Sequence, residues 1–338
     1  MESSAELIES VIRSEHTVGR PPDVMLPFFA YGIFRSNEIA WPRISEFVES
    51  FTNSKIDNWV IRLRNGLPIL IAQSEGSVDG DCVFFSDSRS AYDTIGRSEP
   101  SGEYKWKTIV TRSQVMCNTL VAVKPGRGFT EEPILSWTSA QDPSFLHGMA
   151  AVASVVTAER ESLLENKPWH DYPEDWDAFF RLQGAFLVLW SIVERFAAFR
   201  FGAEYESEAT TAKIYALARI PEFQNAILDA KIKDQVVFSV RENKPKRTRK
   251  GQDLDVQLAD PVTALKTWYQ IRSNITHRGK SAKSDNAIVL TSTVDLFNVT
   301  YLYLKAVIPS IDREWSKRGV GLLPQIDTGI QLDGMRNG

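Results

Sequence analysis

At 338 residues the chain is long enough for two domains, each with a core of its own, and its 43% hydrophobic and 24% charged content is ordinary for globular protein. A net charge of −4 excludes a general nucleic-acid coat and leaves only a local basic patch as a means of holding phosphate. Two cysteines, Cys82 and Cys117, stand in separate strand-like runs with no CxxC or histidine spacing, which argues against a disulfide framework or a zinc site and fits a reducing cytoplasm. Residues 1–22 are polar and read as an N-terminal arm, without the apolar core of a signal peptide. The most apolar stretch, 185–199, is interrupted by Glu194 and Arg195 and is too short to span a bilayer, so no membrane segment is expected.

Residues 23–130 have the texture of a β-rich domain. Pro27-Phe-Phe-Ala-Tyr31 is a short buried-strand pattern running into Gly32. Residues 59–63 and 67–72 flank Asn65-Gly66, a hairpin-type turn pair. Residues 77–85 alternate as a half-buried strand does, 88–95 put Ala91, Tyr92 and Ile95 on one helical face, and 106–110 and 115–123 are two further strands. Strands in series with few, short helices predict a small barrel or a curled mixed sheet.

Three segments here carry a resemblance. Phe29-Ala-Tyr31-Gly32-Ile33-Phe34-Arg35 is similar to the YG(S/T)L loop of the γ-glutamylcyclotransferase fold, and Val78-Asp-Gly80-Asp to its V-x-G-x strand entry. Ile95-Gly-Arg-Ser-Glu99-Pro, followed by Tyr104, resembles its LD-x-x-E-G…Y segment. The resemblance implies a small mixed β-barrel whose Tyr31–Gly32 loop offers backbone N–H groups to a small-molecule ligand, with Glu99 in the acid/base place. Ile33, Phe34 and Pro100 are bulkier than the residues usual at their positions, so slow turnover and a sensing role are expected.

Residues 131–174 read as a Pro-, Trp- and acid-rich connector, with helix composition over 149–164. Residues 175–315 are helical throughout. Phe179, Leu182, Phe186, Leu189, Val193 and Phe196 recur at the spacing of one helical face, and Glu194 interrupts that helix as either a surface acid or a carboxylate turned toward a partner. Helices are predicted over 212–218 and from Pro221 to about Phe238. Six basic residues then fall within 241–250, and Lys246, Arg247, Arg249 and Lys250 are candidate phosphate contacts. Asp260-Pro261 opens the next helix with an N-cap and an N1 proline, and that helix ends at Tyr269-Gln-Ile-Arg272-Ser-Asn-Ile-Thr-His277-Arg-Gly279. A last helix spans 287–307, and 316–338 read as a tail.

Arg272 is a permanent cation with a planar fork of donors suited to phosphate, and His277 exchanges a proton near neutral pH. Five positions turn a helix by about 140°, so the two flank one helix end rather than share a stripe. This segment resembles the signature of the HEPN superfamily, in its Apea-like branch, and Trp190-x-x-x-Glu194 resembles the companion helix. The resemblance implies an all-α bundle that pairs as a homodimer and cleaves RNA without a metal or other cofactor, as toxins and anti-phage effectors do. Arg272 and His277 would be its catalytic residues, with Glu194 and Asn274 in support. Ser273 stands where the family's strongest nucleases usually have Asn, Asp or His. Two other readings stay open: a γ-glutamyl enzyme using Glu99, and a non-catalytic nucleotide-binding or dimerisation module.

Overall fold

The structure is a computed structural model that describes residues 17–123, 130, 132–164, 173–202, 210–232, 238–239, 244–245, 260–278 and 286–325. It is of mixed α+β class and divides into two compact units, one of Met1–Asp142 with Phe196–Thr210, the other of Pro143–Arg195 with Thr211–Gly338.

The first unit is built on a long hairpin, β2 (Val48–Arg64) and β3 (Leu67–Phe85). Asn65 and Gly66 turn it with φ of 51° and 83°, as a primed turn requires. The short strand β1 (Phe28–Ala30) lies between β3, to which it is antiparallel, and β5 (Met116–Ala122), to which it is parallel; β4 (Tyr104–Val110) completes the order β2-β3-β1-β5-β4. The sheet is therefore mixed and open, and not the closed barrel that the resemblance implies. Between the two outer strands the contacts are isolated: Arg112 N, just past β4, donates to Lys55 O at 2.7 Å beside an ion pair from Arg112 to Asp57, and the Lys107 ammonium lies 5.3 Å from the Trp59 ring. After β4 the chain turns through Gln114, at φ 62°.

Alternation along β1 sorts the core into two clusters. Phe28 and Ala30 join Tyr92 and Ile95 of helix α1 (Ser88–Ser98), together with Ile69 and Leu120. Phe29 and Tyr31 face the other way, onto Ile56, Leu70, Val78, Cys82 and Cys117. Asp87 caps α1 by accepting from Ser90 N at 3.1 Å. Residues 17–20 strap across the far end of α1. Val18 N donates to Glu99 O at 3.0 Å, Trp106 Nε1 donates to Gly19 O at 2.7 Å, and Arg20 pairs with Asp93. Gly96 is required here, because any Cβ would collide with the Gly19 carbonyl. Residues 132–142 also belong to this unit: Ile134 bridges to Ile61, Trp137 donates to Gly66 O at 3.1 Å, and Ser139 donates to Glu38.

The second unit is helical: α2 (Met149–Leu164), α3 (Pro173–Phe201, whose last turns are assigned to the first unit), α4 (Thr210–Leu217), α5 (Pro221–Asp229), α6 (Pro261–Arg278), α7 (Asn286–Val307) and α8 (Ile311–Ser316). Helix α7 is the central one, packed against α2, α5, α6 and α8, and it buries Val294, Phe297 and Leu304 along with Ser292, Thr293 and Asp295. Its Asn298 exchanges both amide bonds with the Leu323 backbone at 2.8 Å. Asp260 accepts from Thr263 N at 2.8 Å, the N-cap expected for α6. Helix α5 stops at Asp229 instead of reaching Phe238, because Lys231 takes a φ of 50° that no helix continues. Phe238–Ser239 instead pair with Lys244–Pro245 as a two-stranded ladder, β6 and β7. Helix α3 runs well beyond its most apolar stretch, 185–199, and residues Trp176–Phe201 are long and apolar enough by composition to cross a membrane. Phe179, Leu182, Phe186, Leu189 and Val193 of that helix are fully buried in packing with the chain itself.

Candidate active site

The cleft of the first unit is assembled from three places in the sequence. Strand β1 ends at Ala30 and hands over to Tyr31 and Gly32, after which Ile33 and Phe34 continue the lining. A Cβ on Gly32 would sit 2.8 Å from Pro68 Cγ, so the glycine lets this loop lie against β3. Helix α1 gives way at Glu99, whose extended backbone (φ −113°, ψ 125°) turns its side chain out of the helical path. The third wall is Tyr104 at the start of β4, with Leu67 and Pro68 from β3. The cleft opens to solvent, and the space within it, open solvent included, is ≈ 440 Å³. Tyr31, Gly32 and Glu99, picked out by the sequence, thus lie in one lining.

Electrostatics single out Glu99. Burial pushes its carboxyl up to about 8; the nearby Arg43 guanidinium works against the shift and the Glu103 carboxylate adds to it. The residue keeps part of its surface at the cleft, so its proton can be exchanged there. Burial likewise raises both Tyr31 and Tyr104, with Glu99 pushing the same way, so both phenols stay neutral. Tyr104 Oη lies 3.5 Å from Pro68 O. The cleft therefore offers a carboxylic acid that holds its proton at neutral pH and two phenols, in otherwise apolar walls. That set suits proton transfer to or from a polar group of a small ligand.

Behind the loop lies a buried polar frame with no signal in the sequence. Asp81, fully buried in β3 and paired with Ala30, accepts from Ser36 N and Ser36 Oγ at 2.7 Å each. Arg35 approaches its other oxygen at 3.8 Å. Glu38 accepts from Ser139 N and Oγ at 2.7 and 2.6 Å; burial raises its pKa and those bonds oppose the rise. These contacts hold residues 31–38 in their curl, and Leu67 and Pro68 were missed for a similar reason. Their roles appear only once distant segments meet.

In the second unit Arg272 and Asn274 stand half-buried on α6, and Gln270 Nε2 donates to Asn274 Oδ1 at 2.7 Å. The backbone of His277 lies in the last turn of α6, as its sequence position implies. Glu194 accepts from Trp190 Nε1 at 2.7 Å, and the Trp190 ring lies 6.0 Å from that of Tyr269, three residues before Arg272. Helix α3 is thus fastened to the motif helix beside its arginine, while no direct Glu194–Arg272 bond is drawn. Lys246, Arg247, Arg249 and Lys250 lie outside the described residues. Among the described residues no three His, Cys, Asp or Glu side chains group as metal ligands.

No family model matches the chain, and no curated protein does. Among solved structures it is similar to the solution structure of At5g39720.1 from Arabidopsis thaliana, at 15% identity and a TM-score of 0.25, over 44% of this chain and 98% of that one. A likeness that slight assigns neither fold nor function.

Proposed function

We propose that the cleft of the first unit is a small-molecule site of the γ-glutamylcyclotransferase kind, with Glu99 as its proton-transfer group. One observation carries this reading: a carboxyl pushed up to about 8, set beside two tyrosines in a cleft. Such a group holds its proton at neutral pH yet releases it at small cost, which is what general acid–base work requires. Ile33 and Phe34 line the cleft with bulky side chains, and in this reading the unit binds its ligand and turns it over slowly, as a sensor does. The test is to incubate the full chain with a γ-glutamyl dipeptide and follow both binding and 5-oxoproline. Binding that is weakened by Glu99→Gln, with little 5-oxoproline formed, is the expected result. Release at an enzymatic rate that Glu99→Gln abolishes would make the unit a catalyst. A wild-type chain that neither binds nor converts any γ-glutamyl compound overturns the reading.

A second reading belongs to the other unit: a metal-independent endoribonuclease of the HEPN kind, acting on RNA as a homodimer, of the toxin or anti-phage type. What favours it is the fastening of α3 to α6 through Trp190 and Tyr269, next to the Arg-x4-His segment. In this mechanism the RNA 2′-OH attacks its own phosphodiester. His277 moves the proton, and Arg272 holds the phosphate and offsets the charge that grows on it. Arg272→Ala and His277→Ala should each abolish cleavage while leaving the helical content unchanged. Cleavage should survive EDTA and leave a 2′,3′-cyclic or 3′-phosphate end. Wild-type rates from the His277→Ala protein sink this reading, and intact RNA together with measurable nucleotide binding would make the unit a binding module.

A further inference from the structure

The chain has two cysteines in 338 residues, and the fold sets them against each other. Cys82 stands in β3 opposite Phe29 of β1, and Cys117 stands in β5 opposite Ile109 of β4. Strand β1 lies between β3 and β5 in the sheet, yet the two sulfurs are 3.2 Å apart. Both are free thiols, fully buried in the cluster that holds Phe29, Ile56 and Val78. No third donor joins them among the described residues, so the pair offers two sulfurs and not a metal centre. Two isolated residues of a type this scarce seldom come into contact by chance.

We propose that Cys82 and Cys117 form a reversible dithiol–disulfide site, oxidised by hydrogen peroxide. The Cys82 thiolate attacks one peroxide oxygen, the O–O bond breaks, and the departing hydroxide takes a proton to leave as water. This produces a sulfenic acid on Cys82. The Cys117 sulfur then attacks the Cys82 sulfur, the S–O bond breaks, and a second water leaves with the Cys117 proton. The two thiols lose two electrons in all, and the peroxide gains them. The sulfurs need to close by about 1 Å to reach bonding distance. A hydrogen bond from Cys117 favours the Cys82 thiolate and raises Cys117 itself, which assigns the attacking and resolving roles in that order.

Burial sets the choice of oxidant. Cys117 follows Met116, which with its cross-strand partner Val110 is half exposed at the turn end of the β4–β5 hairpin. A molecule the size of peroxide reaches the pair there when the turn loosens, whereas a bulky disulfide such as oxidised glutathione is kept out. The closed form would tie together the two ends of the segment that carries α1, Glu99 and Tyr104.

The experiment treats the full chain with hydrogen peroxide, unfolds it in alkylating reagent and maps the peptides by mass. The expected product is a Cys82–Cys117 cross-linked peptide lighter by about 2 Da, restored by dithiothreitol. The unfolding midpoint should rise by about 5–10 °C in the oxidised protein, because the cross-link restricts the unfolded chain. Cys117→Ser should leave Cys82 unresolved, so that it proceeds to sulfinic acid. If the wild-type thiols remain fully alkylatable under conditions that convert Met116 to its sulfoxide, the proposal fails. It fails equally if Cys82 is over-oxidised in wild type as fast as in Cys117→Ser.

Discussion

Glu99 is where position and charge pull hardest against each other. In the unfolded chain its carboxyl ionises near the ordinary 4.5, whereas in the fold burial pushes it up to about 8. Between those values the folded protein keeps a proton that the unfolded chain has released. The stability this group allows is therefore complete below pH 4.5 and drains away as the pH climbs toward 8, by an amount on the order of 4–5 kcal/mol. Glu99→Gln keeps the shape and abolishes the titration. Urea midpoints taken at about pH 5 and about pH 8 should fall further in the wild type than in the variant. Parallel falls would show that the carboxyl meets water freely in the folded state. Asp81, by contrast, is held by two bonds from Ser36, and its work is to fix the loop.

At the scale of elements, the strap over α1 is the most exacting fit. The Gly19 carbonyl occupies the space a side chain at Gly96 would need, so Gly96→Ala must lift the strap or shift the helix. Three contacts are then at risk: Val18 to Glu99, Trp106 to Gly19, and Arg20 to Asp93. A loss of about 2–3 kcal/mol is expected, read by thermal or urea unfolding, with easier proteolysis near residue 20. An unchanged midpoint would mean the strap contributes nothing. Other elements show which signals a sequence carries. Strand β1, the Asn65-Gly66 turn, α1, β4, β5 and the N-cap of α6 each have a local cause and were legible. The first half of β2 was not, because Glu49 through Lys55 are mostly polar and exposed and show no alternation. Residues 67–72 and 77–85 read as separate strands, whereas they are one, bulged opposite Asn58 and bent at Glu75 with φ 67°. Helix α8 was not read, since it lies between the last expected helix, 287–307, and the tail, although its Trp315 is fully buried and donates to Phe145 O at 3.0 Å. The cleft was legible only through the likeness of its three segments to a known fold. Contact between Cys82 and Cys117 was not legible at all, since no spacing rule links positions brought together across a third strand.

At the scale of the molecule, each unit draws on two separate stretches of chain. Residues Phe196–Thr210 belong with Met1–Asp142, although Pro143–Arg195 intervene and belong with the rest. Within the first unit Gly202, at φ 81°, leaves room for the Arg43 guanidinium where a side chain would otherwise stand. Arg43 in turn reaches Ser98, one residue from Glu99. The order of synthesis follows from this. A ribosome that has released Asp142 has delivered the whole sheet and α1, but not the piece that backs Arg43. At 5–20 residues per second that piece follows roughly 3 to 14 s later. In the interval the β-rich half has its strands and turns but cannot finish closing around Arg43, so the maturation of the Glu99 cleft is timed by the helix that follows it out of the ribosome.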